Sequence, residues 1–240
     1  MYTLAMDTSN QAMSVAVMQD QTLLATTTIN HQKTHSEQLL PTIKTLLAAA
    51  GLRVAQLDRI VVADGPGSYT GIRIAVTTAK TLAYTLNKTL VGISSLAVLA
   101  AGVTRTPALI VPLMDARRQN VFTGGYQWVD DQLTSVIADA HLPLTQLLKE
   151  VQILGQPVVF VGVDVPKFAP AIRATLGAQA TFADPLSAYP QASRLALLGQ
   201  VAAPVSVFDF VPRYLRLTEA ERTWLQTHHD EGHEPYVEKV

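Results

Sequence analysis

The sequence predicts an α/β protein of two pseudo-symmetric lobes, on three observations. Short apolar strands separated by polar turns are followed by segments with helical spacing, the alternation of sheets flanked by helices. Two strands, in "DRIVVAD" and "QPVVFVGVD", are apolar at successive positions, as strands buried on both faces of a parallel sheet are. The pattern also occurs twice: "LAMDTSNQAMSVAV" at 4–17 and "PLMDARRQNVFTGGY" at 112–126 both run apolar strand, Met-Asp, polar turn, second strand. The repeat divides the chain into a first lobe, 1–103, a second, 104–222, and an acidic tail, 223–240, expected to be flexible.

In order along the chain, "YTLAMD" and "AMSVAVMQD" read as strands around the turn "TSNQ", and the threonine-rich "QTLLATTTIN" as a half-exposed third strand. "THSEQLLPTIKTLLAAAG" switches to helical spacing, with Leu39, Leu40, Ile43, Leu46 and Leu47 on one face. Thr34 and Glu37 have the spacing of a capping box, Pro41 predicts a kink, and Gly51 a stop. "DRIVVAD" is a buried strand, the loop "DGPGSYTG" leads into a helix over about 69–86, and "TLVGIS" is the next strand. In the second half "DQLTSVIAD" is a third strand, "PLTQLLKEV" a short helix and "QPVVFVGVD" a buried strand, followed by helices near 166–176 and 189–200.

Composition narrows the function. Net charge is −1, too balanced for a chain that grips nucleic acid by itself. There is no cysteine, which removes disulfides, thiolate metal sites and a cysteine nucleophile. The start "MYTLAMDTS" lacks the basic and apolar regions of a secretory signal, and no apolar run is long enough to span a bilayer, so a cytoplasmic protein with no membrane contact is expected.

The loop formed by Gly65, Pro66, Gly67, Ser68 and Gly71 admits two readings. Its glycines could free backbone N–H groups to meet an anion at a helix N-terminus. A phosphate-binding P-loop needs a lysine after its last glycine, however, and Ile72 stands there. The dinucleotide fingerprint needs tighter glycine spacing and an acidic residue about twenty positions on, which is missing. The residues favour a tight strand-to-helix turn that lets the next helix pack closely. That helix carries one apolar face, Ile72, Val76, Ala79, Leu82 and Ala83, and a small-residue line at Ala75, Ala79 and Ala83. A second stripe, Tyr69, Arg73, Thr77, Lys80 and Tyr84, has the composition of an interface, though a solvated helix face would look the same.

Other chemistry-bearing residues read as structural. His31 and His35 have ligand spacing, but a helix starting between them puts them on different faces. Arg117 and Arg118 read as surface arginines that could touch RNA or a partner. Asp7 and Asp115 end equivalent strands; in the kinase-type fold implied by the resemblance given below, such residues are expected to face the interlobe cleft, where a kinase would hold a metal ion. His229 and His233, in "HHDEGHEP", have His-x-x-x-His spacing in a glycine-broken acidic tail. No Ser/His/Asp arrangement, catalytic residue or metal site is assigned.

Taken in order, "LAMDTSNQAMSVAV", "HSEQLLPTIKTLL", "DGPGSYTGIRIAVTTAKTLA", "VGISSLAVLA", "MDARRQNVFTGGY" and "YLRLTEAE" resemble the landmarks of the bacterial TsaB family, also called YeaZ, most densely from Leu4 to Ala101. The resemblance implies the fold of the actin/Hsp70/sugar-kinase superfamily and a place in making threonylcarbamoyladenosine beside the tRNA anticodon. It implies a non-catalytic sister of the TsaD-type transferase. Ser95 and Leu99 stand where the transferase has two metal-ligating histidines, and Gly162 stands alone where it has a nucleotide-gripping glycine turn. ATP and metal then belong to the partner subunits, and this chain alone binds no cofactor. The implied partners are a TsaD-type subunit, a TsaE-type ATPase, tRNA through the complex, and a second copy of the chain through the first lobe. The implied contact runs through two helices carrying His35, Leu39, Ile43, Tyr69, Arg73, Ala75, Thr77, Lys80 and Tyr84. The rivals are an ATP-using phosphotransferase of the same fold and a metallopeptidase.

Overall fold

The computed structural model describes residues 1–31 and 34–216. The tail 223–240, with its histidines, lies outside them, as does part of "YLRLTEAE". The first sheet comprises β1 (Tyr2–Asp7), β2 (Met13–Gln19), β3 (Thr22–Ile29), β4 (Arg59–Gly65) and β5 (Thr89–Ser94), in the order β3-β2-β1-β4-β5. β1 is antiparallel to β2 and parallel to β4, and β4 is parallel to β5. The second sheet comprises β6 (Leu109–Asp115), β7 (Asn120–Val129), β8 (Gln132–Pro143), β9 (Val158–Val161) and β10 (Ala180–Phe182). Its order, β8-β7-β6-β9-β10, with β6 antiparallel to β7 and parallel to β9, repeats the first. This duplicated topology gives the two pseudo-symmetric α/β lobes that the sequence predicts.

The helices are α1 (His35–Ala49), α2 (Tyr69–Leu86), α3 (Ser95–Gly102), α4 (Leu144–Leu154), α5 (Val165–Leu176) and α6 (Ala192–Val201). Period-2 alternation sorts the side chains of the first sheet. Leu4, Met6, Val15, Val17, Ile60 and Val62 pack under α1 and α2, while Ala5, Ala16, Val61 and Ala63 face α6. Small residues on that second face let α6 lie close: a Cβ on Gly199 would sit 2.5 Å from Val61. In the second sheet Leu109, Val111 and Leu113 pack with α4 and α5, and Ile110 and Met114 with α3.

Three features depart from the sequence reading. Thr34 precedes α1, but its hydroxyl makes no cap bond; the Glu37 N–H takes the Thr34 carbonyl instead, at 3.1 Å, so there is no capping box. Helix α3 and strand β10 were not anticipated, because the one is apolar all round and the other only three residues long. Finally, packing does not follow the division at 103/104: α6 and the chain after it lie on the first sheet. Among the described residues no helix is long and apolar enough to cross a membrane.

Candidate functional site

Loop 65–71 leaves β4 and opens α2, and the first hairpin turn is pressed into it. A Cβ on Gly67 would lie 2.3 Å from the Ser9 carbonyl oxygen, and one on Gly71 2.0 Å from that of Thr8. Hydrogen bonds seal the contact. The Ser68 N–H donates to Ser9 O (2.7 Å) and the Thr8 hydroxyl to Gly71 O (2.6 Å). Within the loop, the Gly71 N–H donates to Ser68 Oγ (3.3 Å), which caps α2. These glycines admit neighbouring backbone, which is the tight-turn arrangement. Ser95 is buried and accepts the Gly65 N–H at 3.2 Å, and Leu99 is buried in the core around α3. Gly162 plays the same part in the second lobe, with a Cβ there 2.3 Å from Leu113 O.

Helices α1 and α2 pack side by side on one face of the first sheet. Between them runs a surface groove of about 450 Å3, lined by Leu39, Leu40, Tyr69, Arg73, Ile74 and Thr77 among others. The outer ridge of α2 is ordered. Arg73 donates to the Tyr69 hydroxyl (2.8 Å) and lies over its ring, and this contact raises the guanidinium pKa further. Tyr69, Arg73, Thr77 and Tyr84 are exposed.

The proposed contact set needs corrections. Leu39, Ile43 and Ala75 are 1%, 4% and 0% exposed and belong to the core of the lobe, because the apolar stripe of each helix faces the sheet. His35 is half-buried, and its Nε2 meets the Asn10 carbonyl at 2.9 Å, tying the start of α1 to the hairpin turn. Lys80 is half-buried too; its ammonium donates to the Phe208 and Phe210 carbonyls, at 3.1 and 2.6 Å. Leu40, read as part of the core face, is 56% exposed in the groove.

A cleft of about 560 Å3 separates the lobes beneath loop 65–71. The two strand-end aspartates differ in their relation to it. Asp7 is fully buried and does not face the cleft: its Oδ1 accepts the Ser9 N–H and hydroxyl (2.8 and 2.7 Å), and its Oδ2 has no partner. Burial raises its pKa, against the opposing effect of the Ser9 bonds. Asp115 does line the cleft. Its partial burial acts upward, but the Lys167 ion pair and the Arg117 N–H outweigh this and hold its pKa below the usual range. Arg117, Arg118 and Gln119 form an exposed turn with successive φ values of 65°, 51° and 60°.

A polar network that was not anticipated crosses the seam. Asp64, at the end of β4, faces Arg213, which also approaches Asp139 of β8; Asp139 accepts from Ser94 and Tyr126. Burial pushes the Asp64 carboxyl up to about 6, although Arg213 opposes it. Burial and the facing Asp139 raise the Tyr126 hydroxyl above its ordinary value. The one sequence signal was Asp64 itself, an acid closing an otherwise apolar strand.

The family model described as TsaD, tRNA N6-adenosine threonylcarbamoyltransferase, matches residues 22–224. The Bacillus subtilis protein named tRNA threonylcarbamoyladenosine biosynthesis protein TsaB is 38% identical over 224 residues, 93% of this chain and 98% of that protein. The Escherichia coli protein of the same name is 31% identical over 126 residues, 52% of this chain and about half (54%) of its own length. A Pseudomonas aeruginosa crystal structure, described as an uncharacterized protein with similarity to peptidase YEAZ, superposes with a TM-score of 0.76 at 25% identity. The superposition covers 90% of this chain and 99% of that one.

Proposed function

Given that this chain belongs to the TsaB family of tRNA threonylcarbamoyladenosine biosynthesis proteins, we propose that it acts there as a non-catalytic docking subunit. It binds a TsaD-type transferase through the ridge of α2 and the groove beside α1, and it helps recruit a TsaE-type ATPase, so that it meets tRNA only within the complex. The same surface pairs two copies of the chain when the transferase is absent.

The observation that carries this reading is the contrast between a closed loop and an open ridge. Backbone of Thr8 and Ser9 fills the space beside Gly67 and Gly71, where an anion cradle would need room. The helix launched from that loop presents Tyr69, Arg73 and Tyr84, residue types that dominate binding energy at interfaces. ATP and metal are then supplied by the other subunits.

The test is co-purification and titration against the TsaD-type protein. Tyr69→Asp with Arg73→Glu is expected to weaken binding by about 1–2 kcal/mol per residue. Affinity equal to wild type would place the partner elsewhere. The isolated chain is expected to show no ATP turnover; turnover at ordinary kinase rates would favour the rival phosphotransferase, for which the cleft beside Asp115 is the supporting observation.

A further inference from the structure

A single irregular stretch of chain joins the α2 ridge to the seam between the lobes. After α6 the backbone reaches the edge of the first sheet, where the Val205 N–H donates to Leu90 O at 3.0 Å. The Phe210 ring then covers Gly92, where any side chain would collide with it: a Cβ would lie 2.5 Å from the ring. Lys80 holds the Phe208 and Phe210 carbonyls, Phe208 meets Tyr84 edge-on at 5.5 Å, and Tyr214 stacks on Tyr69 at 5.0 Å. Between these contacts Arg213, its side chain 44% exposed, reaches across the seam. Its N–H donates to Asp64 O at 2.7 Å, its Nη2 lies 3.3 Å from Asp64 Oδ2, and its Nη1 lies 3.6 Å from Asp139 Oδ2. Ser94 Oγ, at 2.5 Å, and the Tyr126 hydroxyl hold Asp139 from the other side.

We propose that residues 205–216 are a latch: Arg213 bolts the first lobe to the second, and the same stretch fixes the outer ridge of α2. Closure of the lobes and placement of the ridge are thus set by one element. A planar guanidinium with five donors can serve two carboxylates at once, which a point-charge ammonium does poorly. Removing it leaves the buried Asp64 and the partly buried Asp139 carboxylates facing each other across the seam, and their repulsion and hydration both favour opening. The stretch has no helix or strand of its own, so its position rests on contacts such as those named and on Arg216, whose Nη1 donates to Ala116 O of the second lobe at 2.9 Å.

The test uses the chain alone, so its outcome does not depend on how the proposed docking role fares. The protein has no cysteine, so Thr45→Cys on α1 and Lys149→Cys on α4, both exposed, carry the only pair of spin labels. In Arg213→Met the inter-label distance distribution is expected to broaden about twofold or more, and exchange of the Val205 amide to speed up about tenfold or more. Arg213→Lys is expected to behave like Arg213→Met rather than like wild type. Asp139→Asn, which removes the charge that Arg213 meets on the second lobe and leaves the Asp64–Arg213 pair in place, is expected to broaden the distribution even if Arg213→Met fails to fold. Unchanged distributions in the folded variants would overturn the bolt. An unchanged Val205 amide in a folded Arg213→Met would overturn the shared control.

Discussion

The two lobes are built to one topology and decorated in opposite ways. In the first, the strand-to-helix loop after β4 opens an 18-residue helix whose outer ridge, though touched by Phe208 and Tyr214, leaves Tyr69, Arg73 and Tyr84 exposed. In the second, the turn after β9 opens a 12-residue helix, α5, with Pro166 in its first turn and Pro170 further along. The strand-end aspartates diverge too: Asp7 is sealed under a hairpin turn, while Asp115 stands in the cleft paired with Lys167. Duplicated folds therefore conserve strand order more strictly than strand-end chemistry. The sheet needs every strand to close its core, whereas a loop at a strand end answers only to what lies beside it.

The sharpest way to break this comparison is to fill the sealed loop. Gly71→Ala drives a Cβ into the Thr8 carbonyl and is expected to cost about 3 kcal/mol or more, read by chemical denaturation. Gly155→Ala, after α4 of the second lobe, meets no atom within 4 Å and carries only the strain of its φ of +64°, an expected cost of about 1 kcal/mol. Equal costs would mean that the loop is not a close-packed joint.

The next effect concerns the seam. In the folded chain burial holds the Asp64 carboxyl at about 6, above its ordinary value of 3.8. The folded chain therefore holds this proton more tightly, and stability falls as pH rises from about 4 to 6. Asp64→Asn should remove that slope, so that its stability relative to wild type rises by about 2–3 kcal/mol between pH 4 and 7 and is level above. A pH-independent difference would show that Arg213 fully offsets the burial.

The smallest effect separates the two aspartates. The pKa of Asp115 is lowered, so its contribution is present above about pH 4 and lost as pH falls. Because Lys167 is half-exposed, Asp115→Asn is expected to cost only about 0.5 kcal/mol at pH 7, and less in high salt. Asp7→Asn should run the other way, gaining on wild type as pH rises above about 4, since the raised pKa of Asp7 reverses the sign. Parallel denaturation curves from pH 3 to 7 for the two variants measure the difference.

Much of the fold was legible because it is local. The Met-Asp strand ends announced the duplication, and the apolar spacing from Tyr69 to Leu86 marked α2 with its true bounds. What was illegible was long-range. Nothing near "ASRLALLGQV" says that it packs on a sheet begun at Tyr2, yet the Ala192 N–H donates to Ser14 Oγ across 178 positions. Helical spacing identified the candidate docking helices but not their outward faces, so core residues Leu39, Ile43 and Ala75 entered the contact set. Lys80 misled for a related reason: a lysine on a polar stripe looks solvated until another part of the chain brings carbonyls to it.

The return of α6 to the first sheet also sets an order of events during synthesis. Ala5, Ala16, Val61 and Val91 are finished early, but the helix that covers their face is among the last described elements to leave the ribosome. The nascent first half must wait with one face of its sheet bare while the whole second half is translated, which exposes it to chaperones and to mispairing. A fragment ending at Val103 would be left in that unfinished state, so the first half of this protein is not a portable module.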